Sequence, residues 1–184
     1  MKKIGVILAR FQPIHNGHLA LIKKASVEND EVHIFIGSAD KFNERNPIPI
    51  NIRRDLVEKS LIEVDIKNCH IHLLDDLSDE KDNSHDWGFY LYSKIVTEIQ
   101  QSNFTIYYSD GFEIITSWFP GFILRNNVSL NLLARNATES GISATEVRNM
   151  ILQNSDILKE CVPTCVYEQK STIKNLIELS KLKK

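Results

Sequence analysis

Residues 4–8, Ile-Gly-Val-Ile-Leu, form an apolar run, and a segment of helical period begins at Leu19. A short run of this kind suits a strand covered on both faces. The stretch between them, Ala9-Arg10-Phe11-Gln12-Pro13-Ile14-His15-Asn16-Gly17-His18, therefore reads as a tight strand-to-helix joint. Open α/β sheets bind phosphates at such joints, because the first N–H groups of the helix are unpaired and its dipole is positive there. A helix opening at about residue 16 or 17 aims those groups at the space that Arg10, His15 and His18 share. Gly17 lacks a Cβ and lets backbone approach a ligand closely. Every charge in the joint favours an anion, which we read as a nucleotide polyphosphate. Taken alone, two histidines three apart also suit a helix cap with a surface residue, or half of a metal site.

The rest of the chain repeats the strand–helix alternation. Strands are expected over 31–36, 69–74, 104–108 and 128–133, with helices between them. Asn51 is the expected N-cap of a helix carrying Arg53, Leu56 and Leu61, and Asp86 that of a helix carrying Trp87, Leu91 and Ile95. Asp110-Gly111 closes the fourth strand. A short helix through Ile114 and Ile115 ends near Phe119-Pro120-Gly121. After a loop over 136–141, Ser143 opens a further helix, and two more, broken around Val162-Pro163, finish the chain. This alternation predicts a single-domain, Rossmann-like α/β fold with a doubly wound parallel sheet of about five strands. The whole of 1–184 is one expected domain, with C-terminal helices from about residue 155 and a basic tail over 181–184.

Composition limits the function classes. At 184 residues the chain is long enough for a substantial core, and its net charge of −2 gives no general attraction to nucleic acid or anionic membrane. No run approaches the ~18 apolar residues of a membrane span. The apolar start stops at Arg10 without a small-residue cleavage site, and three cysteines without framework spacing suit a reducing compartment. A cytoplasmic protein is expected. His33 is read as a satisfied or exposed strand histidine. His70 and His72 share a strand face and could pinch a metal, but no third ligand stands at suitable spacing, so they are read as structural or solvated. The acidic stretch Asp75-Asp76, Asp79-Glu80 and Asp82 either frames a site or only solvates a rim.

A second constellation, Ser143-x-Thr145-x-x-Arg148, follows the last strand. Ser143 with Glu146 fits a capping box, and Arg148 lies one turn further in, where its fork can reach a phosphate at the helix mouth. With both motifs in hand, His15-Asn16-Gly17-His18 and Ile142-Ser143-Ala144-Thr145-Glu146-Val147-Arg148, the chain resembles the HxGH nucleotidyltransferase superfamily. Within it the chain most resembles the archaeal-type nicotinamide mononucleotide adenylyltransferases and the front half of the bacterial fusion with a Nudix hydrolase. Arg10-Phe11-Gln12-Pro13, Ile36-Gly37-Ser38-Ala39, Asn46-Pro47 followed by Arg53, and Asn83-x-x-x-Trp87 carry that likeness across most of residues 3–165. The sequence departs from the family pattern at Ala9, Ile14, Ile48-Pro49 and Ile52.

The resemblance implies that ATP and nicotinamide mononucleotide give NAD and pyrophosphate, with Mg2+ carried on the substrate phosphates rather than by protein ligands. It implies His18 at the α-phosphate, His15 on the β/γ side, Arg10 near the nucleophile, and Arg148 with Ser143 and Thr145 on the leaving pyrophosphate. Phe11, Gln12 and Gly17 would complete the ATP site. Gly37, Ser38, Asn46, Arg53 and Asn83 would bind the acceptor, with Trp87 as a platform for the cationic nicotinamide ring; a core tryptophan is the competing reading. Trp118, Phe119 and the tyrosines are read as packing. No nucleic-acid or membrane partner is implied, although the likeness suggests self-association. Three alternatives stay open: a sister transferase using CTP or another acceptor (nicotinic acid mononucleotide, phosphopantetheine), a non-catalytic nucleotide-binding regulator, and a metal-binding protein.

Overall fold

The structure is a computed structural model that describes residues 2–79, 81–109, 114–134 and 141–182. Five parallel strands, β1 (Ile4–Ala9), β2 (Glu31–Ile36), β3 (Cys69–Leu73), β4 (Phe104–Ser109) and β5 (Val128–Leu133), pair in the order β3-β2-β1-β4-β5. The chain leaves β1 toward β2 on one side and later returns to pair β4 on the other. The ends of β1 and β4 are thus the topological switch point, where open α/β sheets bind ligands. The expected Rossmann-like doubly wound sheet is what forms.

The alternation of side chains along β1 and β2 explains why both run apolar. Ile7, Val32, Ile34 and Ile36 enter a core on one face, under α1 (Asn16–Glu28) and α2 (Ile50–Glu63). Ile4, Val6 and Phe35 enter a second core on the other face, under α3 (His85–Ile99), α4 (Ile115–Trp118) and α5 (Gly121–Asn126). The first core also takes α6 (Ala144–Gln153) and the C-terminal elements α7 (Leu158–Cys161), α8 (Thr164–Glu168) and α9 (Lys170–Ser180), through Val147, Leu158, Val166, Ile173 and Ile177. Ile14 and Ile48, two of the departures from the family pattern, are fully buried there. Among the described residues no helix is long and apolar enough to cross a membrane.

Four local expectations need correction. Helix α2 starts at Ile50 with Pro49, not Asn51, at its N-cap, since a proline has no N–H to leave unsatisfied there. Ser84, not Asp86, caps α3: its Oγ accepts from the Trp87 N–H at 3.2 Å, while Asp86 sits in the first turn and favours the helix dipole by charge. A helix after Pro120, α5, was not expected. Three elements follow α6 rather than two, because Gln169 interrupts the last stretch as well as Val162-Pro163. Asp110-Gly111, the 136–140 part of the loop before Gly141, and Lys183-Lys184 of the tail lie outside the described residues.

The histidines on β2 and β3 sit on their strands as expected, His70 and His72 on one face, and the register adds His33 to them. The register sets His33 opposite His70 and Phe35 opposite His72, so all three imidazoles share the face that carries α3. His33 is buried, and burial, with His72 and His70 beside it, pushes its imidazole down to about 4.

Candidate active site

The β1–α1 joint is a fixed piece of backbone. Phe11 adopts a left-handed φ of 50° although buried, and Gln12-Pro13 is a cis peptide. The Gln12 amide accepts from the Ile48 N–H at 2.9 Å and donates to the Ile48 carbonyl at 3.3 Å, tying the joint to the turn before α2. Beneath it lies Arg53, fully buried. Its Nη1 donates to the carbonyls of Arg10 (2.9 Å) and Gly37 (2.8 Å), and its Nη2 to that of Ser38 (2.9 Å). Burial first, then the neighbouring Arg10, lowers the Arg53 guanidinium to about 10, so it remains charged near neutrality. It acts as a clamp joining the ends of β1 and β2. Ser38 is itself held in a left-handed conformation, φ 49°. Backbone strain at Phe11 and Ser38 thus flanks the joint, and the clamp stabilises it.

On this support the two histidines stack, with ring centroids 3.8 Å apart, and His18 also meets the Phe11 ring at 4.8 Å. Gly17 borders the cavity and also bears on the histidine stack. A Cβ there would come within 3.1 Å of the His15 ring, so the glycine makes room for the histidine stack. From the far end of the chain, the capping box forms as expected: the Glu146 N–H donates to Ser143 Oγ, and the Ser143 N–H to the Glu146 carboxylate at 2.7 Å. Arg148, one turn on, donates from Nη1 to the Gln12 carbonyl at 2.8 Å and from Nη2 to Thr145 Oγ1 at 3.1 Å. Burial lowers its pKa.

These groups line one cavity of about 560 Å³, inside the range of small-molecule sites. Arg10, Phe11, Gln12, His15, Gly17, His18, Gly37, Ser38, Asn83, Trp87, Ser143, Thr145 and Arg148 all border it. Asn46 and Arg53 do not; both are fully buried beneath. The cavity spans the carboxyl ends of the strands from one helical layer to the other. On the α1/α6 side it gathers groups that favour an anion: two guanidiniums, two helix N-termini and the N–H donors of two imidazoles. On the α3/α4 side Trp87 and Trp118 cross edge to face, with centroids 5.9 Å apart, and Trp118 Nε1 donates to Asn83 Oδ1 at 3.1 Å. Asp76, Asp79 and Asp82 border the cavity too, and Asp76 accepts from Ser38 Oγ at 3.1 Å. The sequence reading missed Trp118, Arg45 and Tyr108 as cavity residues, and left open whether the acidic stretch, three of whose carboxylates border the cavity, frames a site or solvates a rim. For the tryptophan, the Asn83 and Trp87 positions gave the only local hint.

Such a cavity at the switch point defines a doubly wound α/β protein with a small-molecule site. A family model described as cytidylyltransferase-like matches residues 6–150, and the chain belongs to that family. Among curated relatives, a nicotinamide-nucleotide adenylyltransferase of Methanococcus aeolicus is 47% identical over 58 residues, 31% of this chain and 34% of that protein. Another of that name, from Picrophilus torridus, is 27% identical over 166 residues, 85% of this chain and 84% of that protein. The chain matches only about a third of the length of the first of these relatives. Among solved structures, a bifunctional NMN adenylyltransferase/ADP ribose pyrophosphatase from Francisella tularensis superposes with TM-score 0.72 at 20% identity, over 98% of this chain and 52% of that one. A putative nicotinate-nucleotide adenylyltransferase from Vibrio parahaemolyticus gives 0.68 at 19% identity, over 96% of both chains. At these identities the likeness is one of fold.

Proposed function

We propose that this protein is an adenylyltransferase that joins ATP to nicotinamide mononucleotide, forming NAD and pyrophosphate. One observation carries the reading: the histidines of the β1–α1 joint and Arg148 of α6 border a single cavity that also holds Trp87 and three carboxylates. The names of the relatives support it.

The acceptor's 5′-phosphate oxygen attacks the ATP α-phosphorus in line. A new P–O bond forms, the bond from the α-phosphorus to the bridging oxygen breaks, and its electron pair leaves with pyrophosphate. The nucleophile is already an anion, so no side-chain base is needed, and catalysis is positioning plus neutralisation of charge. His18 donates to the α-phosphate and His15 to the β/γ side. Arg10 holds phosphates near the nucleophile. Arg148, Ser143, Thr145 and the α6 N-terminus receive the leaving pyrophosphate.

A divalent ion, Mg2+ in our reading, arrives on the ATP phosphates and screens their charge. The groups at the phosphate side are imidazoles, guanidiniums and backbone N–H, whereas hard cations require oxygen ligands; that donor set fits an ion held by substrate oxygens. The Francisella tularensis neighbour, solved with AMP and a manganese ion, is consistent with such use.

The acceptor ring is a cation, and the α3/α4 side offers it the Trp87 indole with Asp76, Asp79 and Asp82 around it. The same carboxylates repel the extra carboxylate of nicotinic acid mononucleotide, which makes it the weaker acceptor. The test is pyrophosphate release with ATP or CTP against nicotinamide mononucleotide, nicotinic acid mononucleotide and phosphopantetheine. Release that is fastest with ATP and nicotinamide mononucleotide is expected. Preference for CTP or phosphopantetheine, or no release with any pair, would overturn the assignment.

A further inference from the structure

We propose a second, independent site: a zinc-class divalent cation bound by Glu31, His33 and His70 on the β2–β3 face of the sheet. One ligand atom from each of these side chains lies within 4.8 Å of the others. Glu31 and His33 alternate to the same face of β2, and the parallel register brings His70 directly opposite His33. These residues belong to the amino-terminal halves of their strands, whereas the cavity lies beyond the carboxyl ends, so the nucleotide site does not use them.

The arrangement behind the three fixes which ring nitrogen faces the ion. His72 Nδ1 lies 3.0 Å from Glu98 Oε2 of α3, and a carboxylate only accepts, so Nδ1 carries the proton. The neutral His72 ring then presents Nε2 as an acceptor. His33 Nδ1 stands 2.9 Å from it and must donate. That leaves His33 Nε2 with a bare lone pair, 3.8 Å from Glu31 Oε2 and, among the described residues, without a hydrogen-bond partner; His33 is only 6% exposed. A buried lone pair facing a carboxylate oxygen is unfavourable unless a cation lies between them.

Metal-ligating imidazoles are oriented by a hydrogen bond from their other ring nitrogen, and the Glu98–His72 pair gives His33 an acceptor of that kind. Two imidazoles and one carboxylate suit Zn2+ or Co2+ better than Mg2+ or Ca2+, and three protein ligands leave a fourth position for water. Tetrahedral zinc holds its ligand atoms roughly 3.4 Å apart, so from separations within 4.8 Å the cluster must contract by about 1.4 Å at most. Glu31 and His70 are not fully buried and have room to move. Lys2 pairs with Glu31 Oε1, leaving Oε2 for the ion.

The test uses chelator-treated full-length protein, with Co2+ titrated by its visible absorption and Zn2+ by competition. The comparison set is His70→Ala, Glu31→Gln and Glu98→Gln. His70 is exposed, so its variant keeps the metal-free melting midpoint. Expected results are tetrahedral-type absorption in the parent, a loss of at least tenfold in affinity for H70A and E31Q, and about tenfold for E98Q, whose role is orientation. Zn2+ should raise the melting midpoint of the parent but not of H70A, with adenylyl transfer unchanged in H70A. Absence of Co2+ binding in the parent, or undiminished binding in H70A, would overturn the proposal.

Discussion

Arg148 donates a hydrogen bond of 2.8 Å to the carbonyl oxygen of Gln12, from the other end of the chain. This contact docks α6 against the β1–α1 joint, so the N-termini of α1 and α6 open on the same cavity. The guanidinium shares its face between a backbone oxygen, Thr145 and the cavity, which fixes where a phosphate can meet it.

His18 is held by two rings, His15 at 3.8 Å and Phe11 at 4.8 Å, and borders the cavity. His18→Ala should lower turnover by roughly 10²–10³-fold, the usual cost of one preorganised donor, and leave the melting midpoint nearly unchanged. Steady-state pyrophosphate release with a parallel thermal melt measures both. Near-normal turnover would remove His18 from the chemistry.

Arg53 behaves differently. Its removal leaves three buried carbonyls, those of Arg10, Gly37 and Ser38, without their donor. Arg53→Ala should cost about 3 kcal/mol of stability or more, and Arg53→Lys should recover only part, because an ammonium cannot span the fork. Urea unfolding reads the difference. An unchanged midpoint in Arg53→Ala would mean the clamp contributes nothing.

Gly88 sets the distance between α3 and α4. A Cβ there would stand 2.6 Å from the carbonyl carbon of Trp118. Gly88→Ala should therefore push α4 away, cost about 2–3 kcal/mol, and weaken acceptor binding by separating Trp118 from Trp87. Calorimetry with nicotinamide mononucleotide on the folded fraction checks the second effect.

Trp87 can be separated from simple packing by its chemistry. It is 7% exposed and borders the cavity, with its ring against Trp118 and Tyr90. Trp87→Phe should keep most of the stability but weaken nicotinamide mononucleotide severalfold more than it weakens ATP, since a smaller, less electron-rich face meets the cation. Equal losses for both ligands would return Trp87 to the core.

What could be read from the sequence was what is local. The apolar run before Arg10, the histidine spacing and the Ser143–Glu146 box are each built within one turn or strand. They placed the switch-point joint and the α6 mouth correctly. What escaped depends on distant segments meeting. The resemblance put Arg53 at the acceptor; only the fold shows three backbone carbonyls closing on it. His70 and His72 lacked a third partner until the β2–β3 register brought His33 opposite. For the carboxylates at 76, 79 and 82 the sequence left two readings, a framed site or a solvated rim, and only the fold puts them beside the cavity with Trp87.

The central claim is that His18 and Arg148 grip one triphosphate, and a double-mutant cycle on pyrophosphate release tests it most directly. The rates compared are those of the parent, His18→Ala, Arg148→Ala and the double variant, with ATP and nicotinamide mononucleotide. The account predicts that each single change costs roughly 10²-fold or more, and that the double variant loses clearly less than the product of the two. Normal turnover in Arg148→Ala, or losses that multiply as if the residues were independent, would contradict it.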